Sequence, residues 1–422
     1  MDKTQDAPAT LGAKLRFMGP GVVLAALAIG SGELILTPRS AAQFGFALLW
    51  VPILTIVYKA AFSESLARLT IASGSDVFAA FDWLPGPRHW AQYFIIIVFS
   101  LDMIGYGGIA LAGGSALAGL FGGFDIRIGA LLATALVPIL LYTGSYPFFE
   151  KVVIAMCAVL LAGVIYTLFQ IPLPGDQIAR GLVPSVPEGS VATIMGLMGW
   201  VGAGTTTLLY STWINEKIGK ARDEREYRRW LSTMRIDCLV SYTLILGISF
   251  AFLATGAATL HAQGIVPDKQ QIMSTLSKML NSIPQGRETF LVVGFFAMFS
   301  TIVSCIDGKS RAIASMLSGY SPRFGNKLKG FRIVMGIYLA VMAVTILLGD
   351  SQPAEVINTI ASMNAVVFGL LGFVLLYLDR KLPAYARSGL ISKCLILIGS
   401  TVFLGVAFLK LLLPWLQTFL RH

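Results

Sequence analysis

The sequence predicts an all-α polytopic membrane protein: a five-plus-five inverted repeat plus one C-terminal helix, eleven transmembrane helices in all, with helices 1 and 6 broken. Three observations carry this expectation. Hydrophobic residues make up 56% of the 422 and charged ones 13%, at a mean hydropathy of +0.75, more apolar surface than a soluble domain of this size can bury. Apolar runs of roughly 20 residues, the length that crosses about 30 Å of hydrocarbon, recur along the chain. Two of these runs are interrupted by short glycine-rich stretches, Gly30-Ser31-Gly32-Glu33 and Gly202-Ala203-Gly204-Thr205.

In order, the spans cover 18–42, 46–71, 92–121, 127–145, 149–171, 191–215, 230–260, 289–317, 331–349, 355–378 and 393–416. Residues 1–17 are polar, and the first span carries no A-x-A-like cleavage site but runs on into the polar break, so residues 1–17 read as a short, disordered cytoplasmic N-terminal tail rather than a cleavable signal. Span 1 contains the first break; unpaired backbone at bilayer depth survives only where protein, water or a bound solute lines it. Span 2 carries Lys59 near its centre, where a charge is costly. Either this lysine pairs with Asp102 of span 3, or it is a tethered cation that stands in for a coupling ion. Span 3 ends on the run from Gly113 to Gly123, whose small residues suit close helix packing and lack the Lys-Ser/Thr of a phosphate loop.

Spans 4 and 5 complete the first repeat, and span 6 opens the second with the second break. The second break lies five spans on from the first, which places the two in opposite orientations. Paired interruptions at corresponding positions of two repeats point to a transporter's binding site. After span 6, residues 216–229 are too charged for lipid and predict a cytoplasmic connecting helix with a solvated face. Residues 261–288 form the longest outward loop, with Pro267 and Pro284 as breakers around an amphipathic stretch. Asp307, Lys309 and Arg311 at the inward end of span 8 predict an intracellular gate network. Residues 18–416 thus form one transmembrane transporter domain, followed by an extracytoplasmic C-terminal tail, 417–422.

The net charge of +10 reports orientation. Of 32 Lys and Arg, 23 fall on one set of loops and span ends and eight on the other, leaving Lys59 inside a span. The positive-inside rule then puts the N-terminus in the cytoplasm and the C-terminus outside, as for a multi-pass protein of a plasma membrane, here a bacterial inner membrane. The partners implied are the lipid bilayer and a small ion or solute, with no nucleic acid and no cofactor, in a monomer or weak dimer. Cys157, Cys238, Cys305 and Cys394 lie in or at the edge of spans without C-x-x-C spacing, which argues against a disulfide framework. His89, His261 and His422 fall outside the spans, leaving no imidazole at midplane. No nucleophile–base pair or nucleotide motif marks an enzyme.

Gly19-Pro20-Gly21, the four-residue break, the stretch Ala41-Ala42-Gln43-Phe44-Gly45-Phe46-Ala47-Leu48-Leu49-Trp50 and Leu66-Ala67-Arg68-Leu69 resemble the first two helices of the Nramp family of divalent-metal transporters. The similarity continues more weakly through Gly113–Gly122 and the sixth span. The resemblance implies a LeuT-type fold with the metal held between broken helices 1 and 6, worked by alternating access. It also marks departures. Gly30-Ser31-Gly32-Glu33 replaces the family's Asp-Pro-Gly-Asn, so the Asp ligand is gone and a carboxylate stands in the Asn position. Ala203-Gly204-Thr205 replaces Met-Pro-His. Tyr106 and Ile109 stand where the family has two acidic residues linked to proton movement.

What remains is a set of oxygen donors. The substrate-binding candidates are Gly30, Glu33, Ala203, Thr205 and Thr207, with Glu33, Thr205 and the free carbonyls of Gly30 and Ala203 as metal ligands. Candidate coupling or gating residues are Lys59, Asp102, Tyr106 and Asp307. Oxygen ligands suit hard cations, and a site with one carboxylate suits an ion that keeps part of its water, as Mg²⁺ does; the Nramp-related magnesium transporters likewise lack the Met. Glu33 can alternatively act as a cap on the second half-helix. Gly-Ser-Gly also resembles the motif of amino-acid–polyamine permeases, which makes a small organic solute such as an amino acid or amine the alternative cargo.

Overall fold

A computed structural model describes residues 7–30, 32–122, 124–169, 174–267, 272–280, 284–318, 326–348 and 353–419. Ser31, Gly123 and His422, all used in the sequence reading, lie outside the described residues. The helices in chain order are α1 (Leu11–Phe17), α2 (Pro20–Ala28), α3 (Thr37–Phe44), α4 (Trp50–Ser73), α5 (Val77–Ala80), α6 (Trp90–Phe121), α7 (Ile126–Leu141), α8 (Tyr146–Leu168), α9 (Gly175–Gly181), α10 (Val191–Trp200), α11 (Leu209–Lys217), α12 (Glu224–Gly256), α13 (Ile272–Ser277), α14 (Gly286–Ser318), α15 (Lys327–Leu348), α16 (Pro353–Lys381) and α17 (Leu390–Phe419).

Counting α2–α3 and α10–α11 as one span each, nine helices among the described residues are long and apolar enough to cross a bilayer. Two expected spans fall short by that measure. The segment α4 is 24 residues long but carries Lys59, Glu64 and Arg68, and α7 has only 16 residues. On the outside of the bundle, Ile337, Val341, Val344 and Leu348 form an exposed stripe along α15. At this helical spacing the stripe is a face made for lipid.

The packing follows two parallel sets of neighbours. The start of broken helix 1, α2, packs on α8, the last helix of the first repeat, and α10 packs on α16, the last of the second. Equivalent helices also meet: α4 with α12, α6 with α14 and α7 with α15. A chain built from two copies of one five-helix unit buries its faces in this way. Close approach depends on small residues. A Cβ on Gly114 would lie 2.1 Å from the Ile126 carbonyl oxygen, so the glycine run of span 3 lets α6 seat against α7.

Two local expectations need correction. Residues 11–17 are helical: Thr10 caps α1, Lys14 donates to Ser232 at 2.7 Å and Phe17 packs on Trp230. The N-terminal tail is therefore docked on α12 rather than wholly disordered. The charged stretch 216–229 is not a separate connecting helix. It is split between the end of α11 and the first turns of α12, because Asp223 accepts the Glu226 amide at 2.7 Å and starts a new helix there.

Candidate functional site at the paired breaks

Both breaks have local causes. The segment α2 ends at Ala28, and the Gly30 amide turns back to the Ala28 carbonyl at 2.7 Å instead of continuing the ladder. The chain resumes as a wide turn over Gly32–Leu36, where the Thr37 hydroxyl donates to the Gly32 carbonyl at 2.8 Å; such wide turns recur at functional sites. In the second break the backbone passes through positive φ at Gly202 (71°) and Ala203 (70°). Alanine holds that left-handed conformation only under strain from its surroundings.

The two breaks touch. A Cβ on Gly32 would lie 2.8 Å from the carbonyl carbon and oxygen of Trp200, and one on Gly30 would lie 2.1 Å from the Thr301 hydroxyl of α14. Glycine at 32 lets the two backbones meet, and glycine at 30 leaves room for the Thr301 side chain.

The Gly202 peptide sits between the two charged side chains. Its amide donates to Glu33 Oε1 at 2.8 Å. The Lys59 stem packs against it, and Lys59 Nζ donates to the Val201 and Gly199 carbonyls at 2.6 and 3.1 Å. Both side chains are fully buried. Lys59 therefore caps the C-terminal end of α10, where carbonyls converge and the helix dipole is negative. Glu33 ties helix 1 to helix 6, and its second oxygen, Oε2, is buried without a hydrogen-bond partner.

Other sequence candidates are already engaged. The Gly30 carbonyl accepts the Leu34 amide at 3.0 Å, and the Ala203 carbonyl accepts the Thr207 amide at 3.0 Å and hydroxyl at 2.5 Å. Neither carbonyl is free, as the sequence reading had taken them to be, since each half-helix resumes directly after the break and uses it. Thr205 faces away from Glu33: its hydroxyl contacts Asp102 Oδ2 at 3.0 Å and Asn364 Oδ1.

Asp102 is not the partner of Lys59. It pairs with Lys309 of α14 at 3.2 Å and accepts from Asn364 Nδ2 at 2.6 Å. Lys309 also lies 4.9 and 4.8 Å above the rings of Phe99 and Tyr106, so Tyr106 walls this cluster. Lys309 has accordingly left the expected gate network, in which Asp307 pairs with Arg311 at 2.7 Å and meets Trp213. The geometry decides it: on α14, Asp307 and Arg311 share a face four residues apart, whereas Lys309 points to α6.

Two residues escaped the sequence reading. Asn364 is one of two amides in an otherwise apolar span, with Asn358, a signal available but unread. Asp237 of α12 accepts the Gly19 and Gly21 amides at 3.2 and 2.7 Å and the Tyr210 hydroxyl at 3.0 Å, a carboxylate placed on the N-terminus of α2. A Cβ on Gly21 would lie 2.6 Å from Asp237 Oδ2, which explains the Gly-Pro-Gly motif.

Comparison with known proteins agrees with this architecture. Residues 21–415 match the family model described as natural resistance-associated macrophage protein-like, Nramp. The divalent metal cation transporter MntH of Klebsiella pneumoniae subsp. pneumoniae is 28% identical over 308 residues, 70% of this chain and 71% of that protein. That of Yersinia pestis is 27% identical over 278 residues, 64% and 66% of the two chains. A crystal structure of an Eremococcus coleocola manganese transporter superposes with a TM-score of 0.72 at 16% identity, over 96% of this chain and 89% of that one. A nucleobase-cation-symport-1 family transporter gives 0.60 at 16% identity, over 93% and 91%. These likenesses show the LeuT-type fold, and with the family model matched across nearly all of its spans, this chain belongs to the Nramp family.

Proposed function

We propose that this protein is a secondary transporter that carries a divalent cation across the membrane by alternating access, and that it favours a hard, partly hydrated ion such as Mg²⁺ over soft transition metals. The observation that carries the reading is Glu33 Oε2, a fully buried carboxylate oxygen at the contact of the two breaks with no partner. A buried carboxyl oxygen left without a partner costs free energy, and a cation cargo supplies the missing interaction. Relatives that the family match brings in are divalent metal cation transporters, which favours a metal over an organic solute.

The preference follows from the donors. Neither break contains Met, Cys or His, so no soft ligand is at hand. Gly30, Ala203, Thr205 and Thr207 offer oxygens that already serve the protein's own amides and side chains, and Lys59 covers the carbonyls at the end of α10. An ion held mainly by one carboxylate keeps most of its water, which Mg²⁺ gives up reluctantly and other hard ions tolerate. The charge asymmetry supports a cytoplasmic N-terminus and an outward C-terminus in a bacterial inner membrane. Titration calorimetry on the purified protein tests the reading. Mg²⁺ should bind the wild type and not Glu33→Gln, and micromolar Cd²⁺ binding at the breaks would sink the ligand assignment.

A further inference from the structure

Two basic side chains at the start of α15 stand where the helix itself disfavours them. Lys329 and Arg332 lie in the first turns of α15, at the positive end of its dipole, and three residues apart their like charges share a face. Lys327 in the same turn has carboxylates close by, since it lines a cavity with Asp76 and Glu216. Lys329 and Arg332 instead line a separate hollow of about 320 Å³ with Asn326, Leu328 and Ile333, and among the described residues neither forms an ion pair. Arg332 is nevertheless held in place. Its Nε and Nη2 donate to the Tyr142 carbonyl at the end of α7 at 3.1 and 3.0 Å, and its guanidinium lies 4.1 Å above the Tyr142 ring. A guanidinium carries more N–H donors than these bonds use, so a fixed plane of donors is left over. The hollow opens onto the apolar outside of the bundle. From the Tyr142–Arg332 contact, exposed aliphatic side chains lead along both packed helices, Ile139 and Leu136 on α7 and Ile333 and Ile337 on α15.

We propose that this hollow and the two stripes beside it are a docking site for one anionic phospholipid of the cytoplasmic leaflet. Its phosphate sits between Lys329 and Arg332, and its acyl chains run along Ile139, Ile333 and Ile337. The site is separate from the breaks and does not rest on the identity of the cargo. Charge complementarity sets the head. A guanidinium donates in parallel to two phosphate oxygens, and an anion between the two cations turns their repulsion into attraction; basic pockets between helices on the cytoplasmic side take anionic headgroups in this way. A zwitterionic lipid would bring its own cation to a site that already has two. The apolar stripes set the tails, because a free phosphate answers the basic pair and leaves the stripes unused. Tyr142 supplies an amphipathic ring of the kind that sits at headgroup level. Docking would brace the turn between α7 and α8. Two residues after Tyr142, the Gly144 carbonyl accepts Arg311 Nη2 at 3.0 Å, and a Cβ on Gly144 would lie 2.7 Å from Leu328 Cδ1 in the wall of the hollow. A lipid held by Arg332 and packed beside Leu328 therefore fastens that turn to α14 and α15.

The test is native mass spectrometry of the purified full-length protein in neutral detergent, titrated with phosphatidylglycerol or phosphatidylcholine, alongside thermal melts in each lipid and in glycerol 3-phosphate. Phosphatidylglycerol should bind more tightly than phosphatidylcholine and raise the melting temperature saturably, and glycerol 3-phosphate should not raise it. Lys329→Gln with Arg332→Gln should weaken phosphatidylglycerol binding by roughly twentyfold or more, since a basic side chain near an anionic headgroup is worth about fivefold. Arg225→Gln with Arg229→Gln, which removes two exposed charges from α12, should leave the tightest lipid in place. Equal binding and equal melting of the wild type in the two lipids would overturn the site even if a variant failed to fold. Stabilisation by glycerol 3-phosphate as large as that by phosphatidylglycerol would make it a site for a free anion and overturn the lipid. Equal loss of lipid in the two double variants would show attraction by the diffuse charge of that face rather than by this hollow. All of these are read without cargo, so failure of the divalent-cation reading would leave the result intact.

Discussion

At the scale of single residues, the two buried lysines do different work. Lys59 stands in for the amides that the end of α10 lacks, holding the Gly199 and Val201 carbonyls. Lys59→Met should leave two buried carbonyls without a donor and lower stability by about 1–3 kcal/mol for each, seen as a drop in melting temperature. Lys309 neutralises Asp102. Lys309→Met should cost about 3–5 kcal/mol because the aspartate stays buried without its cation; the double variant Lys309→Met with Asp102→Leu should recover much of that loss. Equal costs for single and double variants would contradict the pairing. Ala203, at φ 70°, gives a prediction of opposite sign: Ala203→Gly should stabilise the protein by roughly 1 kcal/mol, since glycine adopts this conformation without the Cβ penalty. A lowered melting temperature would show that the alanine methyl packs in a way that outweighs the strain.

At the scale of elements, the contact between the breaks is set by glycine. Gly32→Ala would place a methyl 2.8 Å from the Trp200 carbonyl, backbone that cannot swing aside as a side chain does, so the half-helices must separate. Overpacking of this kind costs about 1–3 kcal/mol, and separation should also remove the Gly202–Glu33 hydrogen bond and weaken cation binding. Wild-type affinity in Gly32→Ala would argue that the breaks move independently of the site. The position of both breaks was legible in the sequence because glycine and a buried carboxylate are local signals. The partners across them were not. Lys59 could be read as out of place in lipid, but whether it met Asp102 on span 3 or the carbonyls of span 6 depends on how helices far apart in sequence are rotated. The same holds for Asp237 on α2 and for Asn364 with Thr205, pairings joined across 216 and 159 residues. Intrahelical pairs such as Asp307 with Arg311, four residues apart, follow from spacing alone.

At the scale of the whole molecule, the two repeats place the two breaks against each other and leave a site with one uncommitted carboxylate oxygen. Orientation in the membrane rests on the basic residues. A reporter fused after His422 should respond only on the outer side, and a cytoplasmic signal would overturn the eleven-crossing topology. The departure at Tyr106 and Ile109 bears on energetics: a phenol titrates near pH 10 in water and an alkyl chain not at all, so metal uptake should not acidify the vesicle interior through the family's usual positions. The central claim is that Glu33 binds a hard divalent cation, and proteoliposomes holding the full chain test it most directly. With Mg²⁺, Mn²⁺ or Cd²⁺ supplied outside and an indicator trapped inside, Mg²⁺ should enter wild-type vesicles faster than Mn²⁺ or Cd²⁺. Glu33→Gln, which can still accept from the Gly202 amide but carries no charge, should lose uptake while melting close to wild type. Cd²⁺ entering as fast as Mg²⁺, or Glu33→Gln transporting at the wild-type rate, would contradict the account.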